Sequence, residues 1–301
     1  MPHLVGIRDL ETTTARALID AARAMRKASA DGSVLASLRG KTIGLLFIEA
    51  STRTRTSFER AARNLGADVL ILTPDSASTT KGESLLDTAR TLRAVGVDAF
   101  VLRHRYGGAS HFLAARLDRP VLNAGDGVNE HPTQALLDAL TMEDRLGDLR
   151  GRTIVIVGDV RHSRVARSNA FLLPRLGAHV LFTGPRPLLP RFAPPGVELV
   201  PRFEDALARA DAVMMLRVQR ERLGRTAVAS MGEIAREWGL DADRLASLGR
   251  QILVLHPAPM NRGDEIDDRV AYGASAAIFE QMRNGVFVRM AALDYALQGS
   301  A

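Results

Sequence analysis

A chain of 301 residues with 46% hydrophobic and 25% charged residues can form two domains, each burying its own core, and has neither the composition of a disordered chain nor that of a fibrous one. It has no cysteine, which excludes a disulfide framework, a thiolate nucleophile and a Cys-based zinc site and makes a reducing cytoplasm the expected setting. The formal charge of +6 and the pI near 10.4 suit nucleic acid, an anionic membrane surface or a small anion, with a general arginine-rich bias as the plainer explanation. The arginines are scattered among acids with no basic tract interleaved with aromatics, which disfavours nucleic acid.

In chain order, the residue spacing predicts a helix over 10–29, the strand TIGLLFI (42–48), a helix over 56–65, the strand DVLIL (68–72), a helix over 83–95 and the strand AFVL (99–102). A short apolar run at 121–122 precedes a helix over 132–146. Then follow TIVIVG (153–158), a helix over 163–176, HVLFT (179–183), the Pro-rich loop PRPLLPRFAPPG (185–196), AVMML (212–216), ILVL (252–255) and a helix over about 274–297. MPHLVGIRDL contains no signal-like apolar run, and no stretch reaches the roughly 18 apolar residues of a membrane span, so no membrane role is expected.

Near-continuous apolar strands alternating with helices imply parallel sheets covered on both faces, with ligands beyond the carboxyl ends of the strands. The expected fold is α/β, two doubly wound parallel-sheet domains joined by crossing helices. The first domain takes residues 1–131 with a C-terminal helix, 281–301, packing back on it; the second takes 132–280.

The polar residues follow the strands. After 42–48 comes EASTRTRTSFE (49–59), where Ser51, Thr52, Thr54 and the arginines Arg53 and Arg55 meet a helix start, a setting for phosphate because unpaired helix amides, hydroxyls and guanidinium forks all donate to it. The plainer reading is a capping box formed by Thr56 and Glu59, but a cap needs one hydroxyl and leaves the arginines unexplained. Arg103 follows the strand 99–102, and His131 and Gln134 open the helix in GVNEHPTQALLD. In the second series, GDVRHSRVARS (158–168) lacks the spacing of a dinucleotide loop, and Arg164, Arg217 and Gln219 suit carboxylates, although any one of them alone reads as a surface residue of a basic protein.

STRTRTSFE, KGESLLDT, LRH, HPTQALLD, RVQRERL and HPAPMNRGDEI, in this order, resemble the catalytic chains of the aspartate carbamoyltransferase family. The resemblance implies transfer of the carbamoyl group of carbamoyl phosphate to the amino group of L-aspartate in pyrimidine biosynthesis, without metal or cofactor, by a cytoplasmic homotrimer with shared active sites. Residues 1–131 become the carbamoyl-phosphate-binding domain and 132–280 the aspartate-binding domain. By the same resemblance Ser51, Thr52, Arg53 and Thr54 hold the phosphate, and Arg103, His131 and Gln134 bind the carbamoyl end. Arg164, Arg217, Gln219, Ala258 and Pro259 receive aspartate, and the loop after Pro257 closes over it. Lys81 and a loop hydroxyl, Ser78 in preference to Thr79 or Thr80, reach the neighbouring subunit.

Ornithine carbamoyltransferases share the STRTR loop, but they carry a cysteine-containing loop where this chain has HPAP (256–259), and Arg217 would repel an ornithine ammonium. SMGE (230–233) has an ornithine-type look in a setting that argues against it. A nucleic-acid-binding module would need a continuous basic face, and a non-catalytic scaffold would have lost residues that are present here. HPAPMNRG differs from the HPLPR form of members with regulatory chains, which favours an unregulated trimer or an assembly with dihydroorotase over pairing with a regulatory chain.

Overall fold

The computed structural model describes residues 1–73, 83–218 and 231–299. The chain divides into two compact units, Met1–Leu137 with Arg283–Ala301, and Asp138–Met282.

The first unit runs α1 (Thr12–Ala30), β1 (Thr42–Phe47), α2 (Thr52–Asn64), β2 (Asp68–Leu72), α3 (Leu85–Ala94), β3 (Ala99–His104), α4 (Ala109–Ala114) and β4 (Val121–Asp126). Its strands form one parallel sheet in the order β2-β1-β3-β4. β1 and β3 are the central strands and are buried along almost their whole length, as their unbroken apolar sequences require. β2 lies at an edge and is correspondingly more exposed. Leu46, Phe100, Leu102, Leu113 and Val121 form the core on one face of the sheet.

From the first unit the chain enters the second within α5 (Pro132–Leu146). There follow β5 (Thr153–Val157), α6 (Arg164–Leu172), β6 (His179–Thr183), β7 (Val197–Leu199), α7 (Phe203–Arg209) and β8 (Ala212–Met215). The unit continues through α8 (Met231–Trp238), α9 (Ala242–Ser247), β9 (Leu253–Leu255) and α10 (Asp268–Ala271), and the chain leaves it within α11 (Ile278–Gln298). The second sheet is also parallel, ordered β7-β6-β5-β8-β9. Val155, Val157, Leu181, Phe203, Val213 and Val254 are buried in its core.

In each sheet the chain starts in the middle, builds towards one edge, then returns and builds towards the other. The reversal falls between β1 and β3 in the first sheet and between β5 and β8 in the second. At such a point neighbouring loops leave the sheet in opposite directions and open a crevice beyond the carboxyl ends of the strands. In the second sheet glycines make the strand ends close: a Cβ on Gly158 (φ +116°) would meet the Leu216 carbonyl oxygen at 2.5 Å, and one on Gly184 would meet the Gly158 carbonyl oxygen at 2.6 Å.

Several boundaries differ from the sequence expectation. α2 begins at Thr52 and not at 56, because its first turn is wholly polar and shows no apolar period even though Ser51 takes the extended N-cap conformation (φ −161°, ψ 102°). The run at 121–122 extends to the six-residue strand Val121–Asp126, whose small and polar second half is nevertheless fully buried. The 163–176 helix ends at Leu172 and continues as a 3₁₀ turn, Pro174–Leu176, since Pro174 has no amide to donate.

Candidate active site

In the first unit, the loop after β1 carries Glu49 and Ser51 into α2. Ser51 is half-buried, Thr52 and Arg53 are exposed, and Thr54 is buried. Among the described residues the Ser51 hydroxyl caps no amide, and the first turn of this 13-residue helix contains no acidic side chain. The turn therefore presents amide donors and the positive end of the helix dipole without an acidic side chain of its own. The capping-box alternative does not hold: Thr56 lies inside α2, and the Glu59 carboxylate accepts from Arg63 Nε and Nη2 at 3.3 and 3.2 Å. Behind the turn, buried Arg289 of α11 donates to Ser57 Oγ at 2.7 Å and lies over the Phe58 ring.

Arg103 is the penultimate residue of β3, next to that loop. The amides of Ile48 and Glu49 donate to its carbonyl oxygen at 3.0 and 3.3 Å, which fastens the exits of β1 and β3 together. Arg103 is 9% exposed, and its guanidinium donates through Nη1 to the Ala124 carbonyl and through Nη2 to Glu49 Oε1, both at 2.9 Å. Glu49 was not among the residues the sequence singled out. An acid following a strand in a basic loop is the signal that could have found it.

His131 and Gln134 stand at the head of α5, His131 immediately before a proline at the first helical position, where the missing amide costs nothing. The turn that delivers them is built from buried polar groups. The Asp126 carboxylate accepts from Asn123 Nδ2 and from the Gly108 amide, each at 2.7 Å, and from the Glu130 amide at 3.1 Å. Glu130 in turn accepts the Ile7 amide at 2.7 Å, which ties the N-terminal segment to the turn. His131 and Gln134 are themselves 4% and 8% exposed. Arg53, Thr54, His131 and Gln134 thus follow β1 and β4, and Arg103 sits in the last pleat of β3, all at the carboxyl ends of strands of one sheet.

His104, beside Arg103, is held below the ordinary histidine range, first by burial and then by the Arg105 guanidinium, with Glu49 and Asp126 pulling the other way. The unfolded chain therefore takes up this proton at a higher pH than the folded one, so protons favour unfolding and the stabilising contribution is lost as pH falls through and below the ordinary histidine pKa. A plot of melting temperature from about pH 7.5 to about pH 5.5 is expected to slope downward with acid, and less steeply in His104→Asn. Equal slopes would dissociate His104 from the acid sensitivity.

In the second unit, Ser163 caps α6 by accepting the Ala166 amide at 3.1 Å, and Arg164 is the first residue of that helix, 8% exposed. Arg217, half-buried, follows β8. The pairing of Val157 with Met215 and the bond from the Leu216 amide to the Val157 carbonyl at 2.8 Å bring the loop before α6 and the segment after β8 side by side at the switch point. After β9 the chain turns through His256, Pro257, Ala258 and Pro259, with Ala258 at φ +55° and a cis Ala258–Pro259 peptide. Ser78, Thr79, Thr80, Lys81 and Gln219 lie outside the described residues.

Residues 2–144 match the carbamoyl-P binding domain of the aspartate/ornithine carbamoyltransferases, and residues 150–296 match their Asp/Orn binding domain. The chain is 50% identical to an aspartate carbamoyltransferase catalytic subunit from Salinispora arenicola, with 99% of this chain and 98% of that protein covered. It is likewise 50% identical to one from Sorangium cellulosum, with 97% and 91% covered. Among solved structures, aspartate transcarbamoylase from Trypanosoma cruzi in complex with carbamoyl phosphate and aspartate superposes with a TM-score of 0.87 at 33% identity, over 97% of this chain and 95% of that one. Ornithine carbamoyltransferase from Pyrococcus furiosus superposes with a TM-score of 0.90 at 26% identity, over 99% and 98%. The two acceptor classes share the backbone fold, so the choice of acceptor must reside in side chains. With family matches over both halves and half of its residues identical to those of full-length relatives, the chain belongs to the aspartate/ornithine carbamoyltransferase family.

Proposed function

We propose that the chain is an aspartate carbamoyltransferase, moving the carbamoyl group of carbamoyl phosphate to the amino group of L-aspartate and releasing phosphate and N-carbamoyl-L-aspartate, an early step of pyrimidine formation. The observation that carries this reading is that basic and amide side chains cluster at the carboxyl ends of the strands near the switch point of each sheet, Arg53, Arg103, His131 and Gln134 in the first unit and Arg164 and Arg217 in the second, a supply of donors that suits two anionic substrates. The half-identity to aspartate-type catalytic subunits over nearly the whole chain supports aspartate as the acceptor.

The chemistry is positioning and charge stabilisation. The α2 amides, Ser51, Thr52, Arg53 and Thr54 hold the phosphate, and Gln134 holds the carbamoyl amide. Arg103, His131 and the Thr54 hydroxyl donate to the carbamoyl oxygen, which gains negative charge as the aspartate nitrogen attacks the carbon. Collapse of the tetrahedral intermediate breaks the bond from carbon to the bridging phosphate oxygen. The departing phosphate takes the proton from the nitrogen, so no side-chain base is needed. Arg164, Arg217 and Gln219 bind the two aspartate carboxylates, and the turn at Ala258 and Pro259 borders the acceptor. Ser78 and Lys81 act across a subunit boundary in a cytoplasmic homotrimer.

Phosphate release from carbamoyl phosphate is expected with L-aspartate and not with L-ornithine. Release with ornithine alone would reassign the acceptor half while leaving the phosphate half intact, and release with neither would reject catalysis by this chain.

A further inference from the structure

The acceptor turn is anchored from within its own unit by a chain of buried polar groups. His256 and Glu265 are 1% and 5% exposed. His256 Nδ1 accepts the Ala258 amide at 2.8 Å. A ring nitrogen that accepts from an amide carries no hydrogen, which places the proton of the neutral ring on Nε2, facing Glu265 Oε1 at 3.1 Å. The same carboxylate oxygen accepts the Asn261 amide at 2.6 Å. One ring and one carboxylate therefore fix the backbone on both sides of Ala258 and Pro259. Ala258 needs that support, because its φ of +55° lies where L residues other than glycine and asparagine rarely stay unless their neighbours hold them.

The chain continues inward. The His256 amide donates to Gln281 Oε1 at 2.9 Å, Gln281 Nε2 donates to Asp138 Oδ1 at 2.7 Å, and Asp138 Oδ2 accepts from Asn169 Nδ2 at 2.8 Å. Gln281, Asp138 and Asn169 are at most 2% exposed. Asn169 belongs to α6, the helix that begins with Arg164. A continuous hydrogen-bonded path thus runs from the helix bearing one proposed carboxylate ligand to the turn bordering the acceptor.

We infer that His256 is a positioning residue for the amino-acid acceptor: through its Nδ1 acceptor it sets the turn at Ala258, and through Gln281, Asp138 and Asn169 that turn keeps register with Arg164. This inference rests on the proposed role of the turn in aspartate binding. A network that served stability alone would, when cut, lower the melting temperature and leave the two Michaelis constants in proportion.

Two substitutions separate the ring's two bonds. His256→Asn keeps an oxygen acceptor where Nδ1 sits and loses the donor to Glu265. His256→Gln keeps an amide donor where Nε2 sits and loses the acceptor for Ala258. Loss of one buried partner is expected to raise KM for aspartate about tenfold in His256→Gln. KM for carbamoyl phosphate, bound by residues of the other unit, should stay within about twofold in both variants, and His256→Asn, which keeps the acceptor for Ala258, should raise KM for aspartate less than His256→Gln does. In the unaltered protein the ¹⁵N spectrum of the His256 ring should show a protonated Nε2 and a bare Nδ1. A proton on Nδ1, indistinguishable variants, or two constants moving together would overturn the inference. Absence of aspartate-dependent turnover in the unaltered protein would instead overturn the function on which it rests.

Discussion

Arg53→Ala is expected to lower kcat/KM for carbamoyl phosphate on the order of 10³-fold, with the melting temperature unchanged. The clean separation follows from where Arg53 sits. It is an exposed residue in the first turn of α2, so truncating it opens no cavity in the core. The amides of that turn remain, and with them a residual attraction for phosphate. What is lost is a fixed fork of donors matched to phosphate oxygens, most effective when the leaving group gathers charge as its bond to carbon breaks. Arg53→Lys should recover only part of the loss, since it restores a point charge without the fork. Competitive inhibition by inorganic phosphate should weaken in parallel. A change in kcat/KM below about threefold, the size expected of a solvated surface arginine, would remove Arg53 from the phosphate site.

The elements that were legible in the sequence share a physical cause. TIVIV and TIGLLF read as strands because a parallel strand with helices on both faces has no polar side to alternate with. For the same reason the loops after them are the expected place for ligands on the sequence alone. β7 escaped notice because it is a three-residue edge strand, partly exposed, beside a Pro-rich loop. The first turn of α2 escaped because STRT carries no apolar period; its polarity, which hid the helix, is what fits it to an anion.

Among the site residues, Arg53, Arg103, His131 and Arg164 could be picked out because each is polar and follows an apolar strand. Their supports could not. Glu130 reaches the Ile7 amide across 123 residues of sequence, and Gln281 reaches Asp138 across 143. In the sequence each of these acids and amides sits in a helix or turn like any solvated residue, and burial and partner exist only once the chain has closed. His256 shows the difference within one residue. Its place after β9 marked the turn as functional, but the tautomer that holds Ala258 depends on Glu265, nine residues on.

Arg217→Ala carries the second large expected effect, a rise in KM for aspartate of about 10²-fold, with KM for carbamoyl phosphate little changed. Arg217 is half-buried at the β5/β8 switch point, where the Leu216 backbone is pressed against Gly158 and the segment has little freedom to shift. A guanidinium on a backbone held in this way starts from a defined position, which would favour a carboxylate ligand. The same charge opposes a cationic acceptor, so it acts twice on the choice between aspartate and ornithine. Removing it should therefore weaken aspartate binding and reduce the penalty against ornithine in one step. The ratio of kcat/KM for the two acceptors is then the measurement that matters: it should fall by more than the loss for aspartate alone. A ratio that stayed constant while KM for aspartate rose would mean that Arg217 contributes binding but not discrimination, and would move the selectivity to the side chains around Ala258 and Pro259.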